Sequence, residues 1–210
     1  MKSTVTFLLL TTLQLAALAA TETSITSITQ EQDAVVIHYQ LTGFSLEDQD
    51  GKARIEIAGM ELSSYAGQPQ LPFTTFWLEI PVDAEVTLEL QEQQTSFYPA
   101  LDLAMYQDDE VKVDAAAGRT NLDSFAALGN EGWMRDLRLV PLTLQPVRIE
   151  EEGVRVLQSA AVRVSFSSAT KYSNISYSSE MDELYRSFIV NHRQFSDHRD
   201  ETEFPRMLVV

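Results

Sequence analysis

Apolar and polar residues alternate through much of the chain between Ala34 and Phe166, and short polar or Gly/Pro-containing stretches interrupt them. A period of two puts successive side chains on opposite faces of a strand. The clearest run is Trp133 to Phe166. Leu137 and Leu139, then Leu142 and Leu144, fall on one face if the chain slips by one residue at Pro141. Val154, Val156, Val162, Val164 and Phe166 extend the pattern, with Arg155, Arg163 and Ser165 between them. Glu150-Glu151-Glu152-Gly153 separates two such runs as a solvated turn. The block predicts neighbouring antiparallel strands with one wet face.

Upstream, Ala34–Tyr39, Phe44–Glu47, Ala53–Ile57, Phe73–Ile80, Ala84–Leu90 and Thr95–Tyr98 read as further strands. Gln49-Asp50-Gly51-Lys52 is a turn, and Gly67 and Pro69 open a tight loop before the aromatic-rich strand that carries Trp77, read as a core residue. Leu101 to Asn121 is less regular and reads as an exposed excursion. About ten short strands over residues 34–166 predict an all-β domain, an antiparallel β-sandwich-like fold. Residues 21–33, rich in Thr, Ser and Gln, read as a loose lead-in.

The pattern changes after Phe166. A Ser/Thr/Asn/Tyr-rich linker precedes Met181, Leu184, Tyr185, Phe188 and Ile189, spaced as one face of a helix over residues 179–191. Ser178 or Ser179 can cap it. The linker region as a whole spans 167–205. From Asn191 to Pro205 the chain is polar, and residues 206–210 end on Met207-Leu208-Val209-Val210, which reads as the truncated first strand of a following domain.

The first 20 residues fit a secretory signal peptide. Lys2 supplies the positive start, an apolar run follows, and Ala17-Leu18-Ala19 gives the small-x-small step, with cleavage at Ala19 or Ala20. The mature chain is therefore expected to be secreted, periplasmic or on the cell surface, without a membrane span. The formal net charge of −16 argues against nucleic acid as a partner, since phosphate binding needs a basic face. The chain has no cysteine, which excludes a cysteine nucleophile, a thiolate metal site and thiol redox chemistry within it.

No catalytic, metal or cofactor site emerges from the remaining residues. His38 reads as a half-buried strand residue; His192 and His198 lie in the polar connector without a ligand spacing. Glu150-Glu151-Glu152 reads as a solvated hairpin tip rather than a carboxylate pair. No cofactor is expected.

Two stretches carry a resemblance. Gly67-Gln68-Pro69-Gln70-Leu71-Pro72 ahead of a strand ending Ile80-Pro81, and Arg135-Asp136-Leu137-Arg138 leading into a proline-punctuated strand and then a valine-rich one, resemble the pro-region of the gingipain-type cysteine peptidases of clan CD. Arg206 to Val210 is similar to the strand that opens their catalytic domain. The resemblance implies an exported pro-region that acts as folding aid and inhibitor of a downstream cysteine endopeptidase in a zymogen, with that catalytic domain as partner. It implies an inhibitory arginine, Arg138 first and Arg135 second, and self-processing after Arg193 or Arg199, Arg193 slightly ahead. Leu139 stands where arginine-specific members are expected to carry glycine, so the peptidase's preference stays open. The alternative function is a stand-alone secreted β-sandwich binding or adhesion module using Trp77, Trp133 and tyrosines.

Overall fold

Period-two apolar runs bury one face each, and two such faces packed together exclude water from a shared core. The computed structural model describes residues 25–31, 33–106, 122–135, 137–167 and 178–192. In chain order the elements among them are β1 (Ile25–Gln30), β2 (Ala34–Gln40), β3 (Ser45–Gln49), β4 (Lys52–Glu56), β5 (Glu61–Leu62), β6 (Pro72–Ile80), β7 (Val86–Pro99), β8 (Ala126–Leu128), β9 (Gly132–Met134), β10 (Leu137–Leu144), β11 (Val147–Glu150), β12 (Gly153–Phe166) and the helix α1 (Ser179–Phe188). The fold is an antiparallel β-sandwich with one short helix.

One sheet is built on β12. β2 and β11 follow one another along one edge of it, with β1 outside β2, and β7 runs along the whole of the other edge. The second sheet is built on β10, with β6 and then β5 on one side. On the other side β9 pairs the start of β10 and β8 pairs its end. The β3–β4 hairpin stands apart.

The main core lies between the sheets. Val35, Ile37 and Tyr39 of β2 and Leu157, Val162, Val164 and Phe166 of β12 meet Leu78 and Ile80 of β6 and Val140, Leu142 and Leu144 of β10. Each fully buried aliphatic side chain contributes about 1.5–3 kcal/mol, against about 0–1 for an exposed ion pair, so apolar packing decides stability. A second cluster of Ile55, Ile57, Leu71, Val147, Val154 and Val156 closes one end under the β3–β4 hairpin. Gly153 is required at the start of β12: a Cβ there would lie 2.3 Å from the Tyr98 carbonyl oxygen.

Several sequence expectations are corrected. The Trp133–Phe166 block is split between two sheets, because the β10–β11 connection crosses from one to the other. There is no slip at Pro141. The β6–β10 register runs unbroken from Arg138↔Ile80 to Leu144↔Thr74, so Leu137 and Leu139 face outward while Val140, Leu142 and Leu144 face the main core. Both faces of the strand's first half are buried, the outer one against Tyr185 and Ile189 of α1. The two runs Ala84–Leu90 and Thr95–Tyr98 form one strand, β7, whose left-handed Glu92 (φ 52°) sits near a register shift against β12. The lead-in contains β1, since Thr and Ser suit an edge strand beside β2. Trp77 is 40% exposed and is not a core residue. The helix ends at Phe188, not residue 191.

Candidate functional site

β9 and β10 form a tight hairpin with Arg135 at the bend. Arg135 has a φ of 55°, left-handed for a residue with a Cβ, which costs about 1–2 kcal/mol. Asp50 and Ala100 take the same conformation in other turns. What distinguishes this tip is its surface. Trp133 is 61% exposed, Met134 is exposed, and Arg135 stands beside them. An exposed cation at a bend, next in the chain to two large exposed apolar side chains, is a chemistry suited to insertion into a partner's pocket. Asp136 lies outside the described residues.

Arg138, three residues on, is used differently. Its side chain lies on the inner side of β10, at the rim of the sandwich. Nη1 donates to the carbonyl oxygens of Pro81, Val82 and Ala84, at 3.1, 3.1 and 2.9 Å. Nε and Nη2 both donate to Glu131 Oε2, at 3.0 and 2.5 Å. A guanidinium suits such a socket because its donors are fixed in a planar fork. Arg138 thereby holds the loop between β6 and β7, and its side chain is only 16% exposed.

The outer face of β6 and β10 carries α1. The spacing of Met181, Tyr185, Phe188 and Ile189 gives the helix one apolar stripe, which packs on Leu137 and Leu139. Ser178 is the N-cap and accepts from the Met181 N–H at 3.4 Å. The Glu180 carboxyl is held below its usual range by its own backbone N–H and the Ser178 hydroxyl. Arg186 pairs with Asp182 one turn back.

Past the helix the chain is clamped to β6. Val190 N–H donates to the Trp77 carbonyl at 3.0 Å, and Gln30 Nε2 donates to the Val190 carbonyl at 2.8 Å. The Asn191 side chain accepts from the Glu79 N–H and donates to the Glu79 carbonyl, both at 2.8 Å. It therefore satisfies the two backbone groups of Glu79 as a neighbouring strand would. His192 is wholly buried, with Nδ1 2.8 Å from Glu79 Oε2 and Nε2 2.8 Å from Asp182 Oδ1. The expectation that His192 lies in a polar connector is overturned. The sequence signal was weak because the two carboxylates come from positions 113 and 10 residues away.

Of the other candidates, His38 is half-buried in β2, as expected, and Glu151 and Glu152 form the exposed turn between β11 and β12. Among the described residues no cluster of three His, Cys, Asp or Glu side chains could hold a metal, and no helix is long and apolar enough to cross a membrane. Ala19, Ala20, Arg193, His198, Arg199 and residues 206–210 lie outside the described residues.

No protein-family model matches the chain, and no curated protein does. Solved structures do. At the level of class, the chain is an antiparallel all-β sandwich. In particular it is similar to a structure of the Porphyromonas gingivalis RgpB pro- and mature domains in complex, at a TM-score of 0.60 and 14% identity, over 81% of this chain and 97% of the other. It is also similar to gingipain K from the same organism, in a structure addressing its zymogenic latency, at a TM-score of 0.54 and 20% identity, over 70% of this chain and 94% of that one. The fold is therefore that of the gingipain pro-domains, which is what the two sequence stretches implied.

Proposed function

We propose that this chain is the exported pro-region of a gingipain-like cysteine endopeptidase, folding against the catalytic domain and keeping it latent until removed. The observation that carries this is the shared β-sandwich, matched over nearly the whole length of both neighbouring chains. The absence of cysteine fits, because the chain itself cannot supply the nucleophile. Export rests on the signal-like first 20 residues.

Arg135, rather than Arg138, is our candidate for the residue that enters the peptidase cleft. Arg135 is exposed at a projecting hairpin beside Trp133 and Met134. Arg138 would have to abandon three carbonyls and Glu131 to do so. Purified chain should be titrated against its own mature peptidase. Arg135→Ala should weaken inhibition by roughly 2–5 kcal/mol, the cost of emptying a pocket that holds a charge-assisted pair. Inhibition by Arg135→Ala equal to that of the unaltered chain would remove the hairpin from the mechanism.

The release point is proposed at Arg199. A peptidase takes several residues on each side of the bond in extended form. A cut after Arg193 would draw on Asn191 and His192, which are buried and fixed to Glu79. N-terminal sequencing of the secreted peptidase checks this. Asp200 is the expected first residue. Gln194 would return the choice to Arg193, and a start directly after the signal peptide would show that the domain is never removed.

A further inference from the structure

We propose that His192 is a proton-dependent latch that fastens α1 and the chain behind it to the outer face of β6 and β10. The inference stands on side-chain geometry and is independent of the inhibitory reading.

Both ring nitrogens of His192 lie 2.8 Å from a carboxylate oxygen, Glu79 on β6 and Asp182 on α1. A carboxylate only accepts, so the ring must donate from both nitrogens, and only the imidazolium can do that. A neutral imidazole has one N–H. Its other nitrogen would present a lone pair to an anionic oxygen, on a ring that is itself wholly buried although Asp182 is partly exposed. One proton therefore decides whether helix and sheet attract or repel at this point. Histidine is the side chain that ordinarily changes charge near neutrality.

The surroundings leave the ring as the switch. α1 presents Asp182, which also pairs with Arg186, and Tyr185, whose ring centroid is 5.4 Å from that of His192. β6 presents Glu79. β10 presents Leu137 and Leu139, and β1 reaches the adjoining turn through the neutral Gln30. Among the described residues the helix itself is attached through a short apolar stripe, Leu137, Leu139, Tyr185 and Ile189, with Met181 and Phe188 partly buried, and the turn behind it through the Val190, Gln30 and Asn191 hydrogen bonds. An element held by so few apolar residues opens locally at low cost, so the loss of a buried charged contact shifts that opening measurably.

The experiment is hydrogen exchange of the full chain at about pH 6 and about pH 9, corrected for intrinsic rates, with β12 as internal reference. Exchange protection over residues 179–190 should fall at least about tenfold at the higher pH while β12 keeps its protection. Asp182→Asn offers an amide N–H to the unprotonated nitrogen, so this variant should keep α1 protected at the higher pH. His192→Gln should show low α1 protection at both. Equal protection of unaltered α1 at the two pH values, or the same pH-linked loss in Asp182→Asn, would overturn the latch. Should His192→Gln fail to fold, the Asp182→Asn comparison still decides.

Discussion

The two faces of the β6–β10 sheet are covered by different chemistry. Its inner face meets β2 and β12 through a core made mainly of apolar side chains, with Tyr39 of β2 among them. Its outer face meets α1 through a short apolar stripe, then through Asn191 and His192 bonded to Glu79. An apolar interface is insensitive to protonation and is lost only when the whole domain unfolds. A mixed interface is cheaper to open and answers to pH. The difference teaches that β10 is shared by two units of unequal strength, although its alternation looks like a single pattern.

The largest expected effect comes from setting those two faces against each other. Leu142→Ala empties a site in the main core and should cost about 2–5 kcal/mol of global stability. Leu139→Ala, on the same strand, faces α1. Its global cost should be smaller, and its main signature should be faster exchange in residues 179–188. Chemical denaturation and hydrogen exchange on both variants check this. Equal global losses would mean that α1 is as integral as the sandwich.

Next in size is the contrast between the two arginines. Arg138→Ala removes the donor that joins the Pro81, Val82 and Ala84 carbonyls to Glu131, although Pro81 keeps the Ala84 N–H, and should cost about 2–3 kcal/mol, read as a lowered thermal midpoint. Arg135→Gly removes no internal bond and suits a φ of 55°, so stability should be unchanged or rise by about 1 kcal/mol. A large loss with Arg135→Gly would assign Arg135 a structural role that its exposure does not suggest.

What the sequence disclosed follows from this division. The valines of β12 and the alternation in β7 report a one-sided pattern, so period two was enough to place them. β10 misled because both of its faces are covered at Leu139 and Val140, and one-sided reasoning then demanded a slip at Pro141. The helix was visible in its 3.6-residue stripe, with its cap at Ser178. The His192 site was not visible, because Glu79 and Asp182 meet it only once α1 lies on β6. The likeness in the Arg135–Arg138 stretch pointed to the right fold. It could not tell which arginine is free, since that depends on the carbonyls of the β6–β7 loop.

The smallest effect separates the two regions by the sign of their pH response. Hydrogen bonds from Arg163 hold the Glu31 carboxyl below its usual range, and bonds from Arg155 do the same for Glu150. Both arginines belong to β12, so these pairs brace the sheet that contains β1, β2 and β11. A carboxyl whose folded value is depressed adds stability above its ordinary value, and that contribution is lost as pH falls through the folded value. Both pairs are solvent-exposed, so the contribution is slight. Acid should therefore loosen the β12 sheet gradually below about pH 4, while alkali should release α1. Thermal melts from about pH 6 to about pH 3 on the unaltered chain and on a Glu31→Gln, Glu150→Gln double variant test the first half. The double variant should start slightly less stable and lose less on acidification. Parallel acid slopes would show that other carboxylates carry the response, and the opposed signs would then no longer distinguish the two regions.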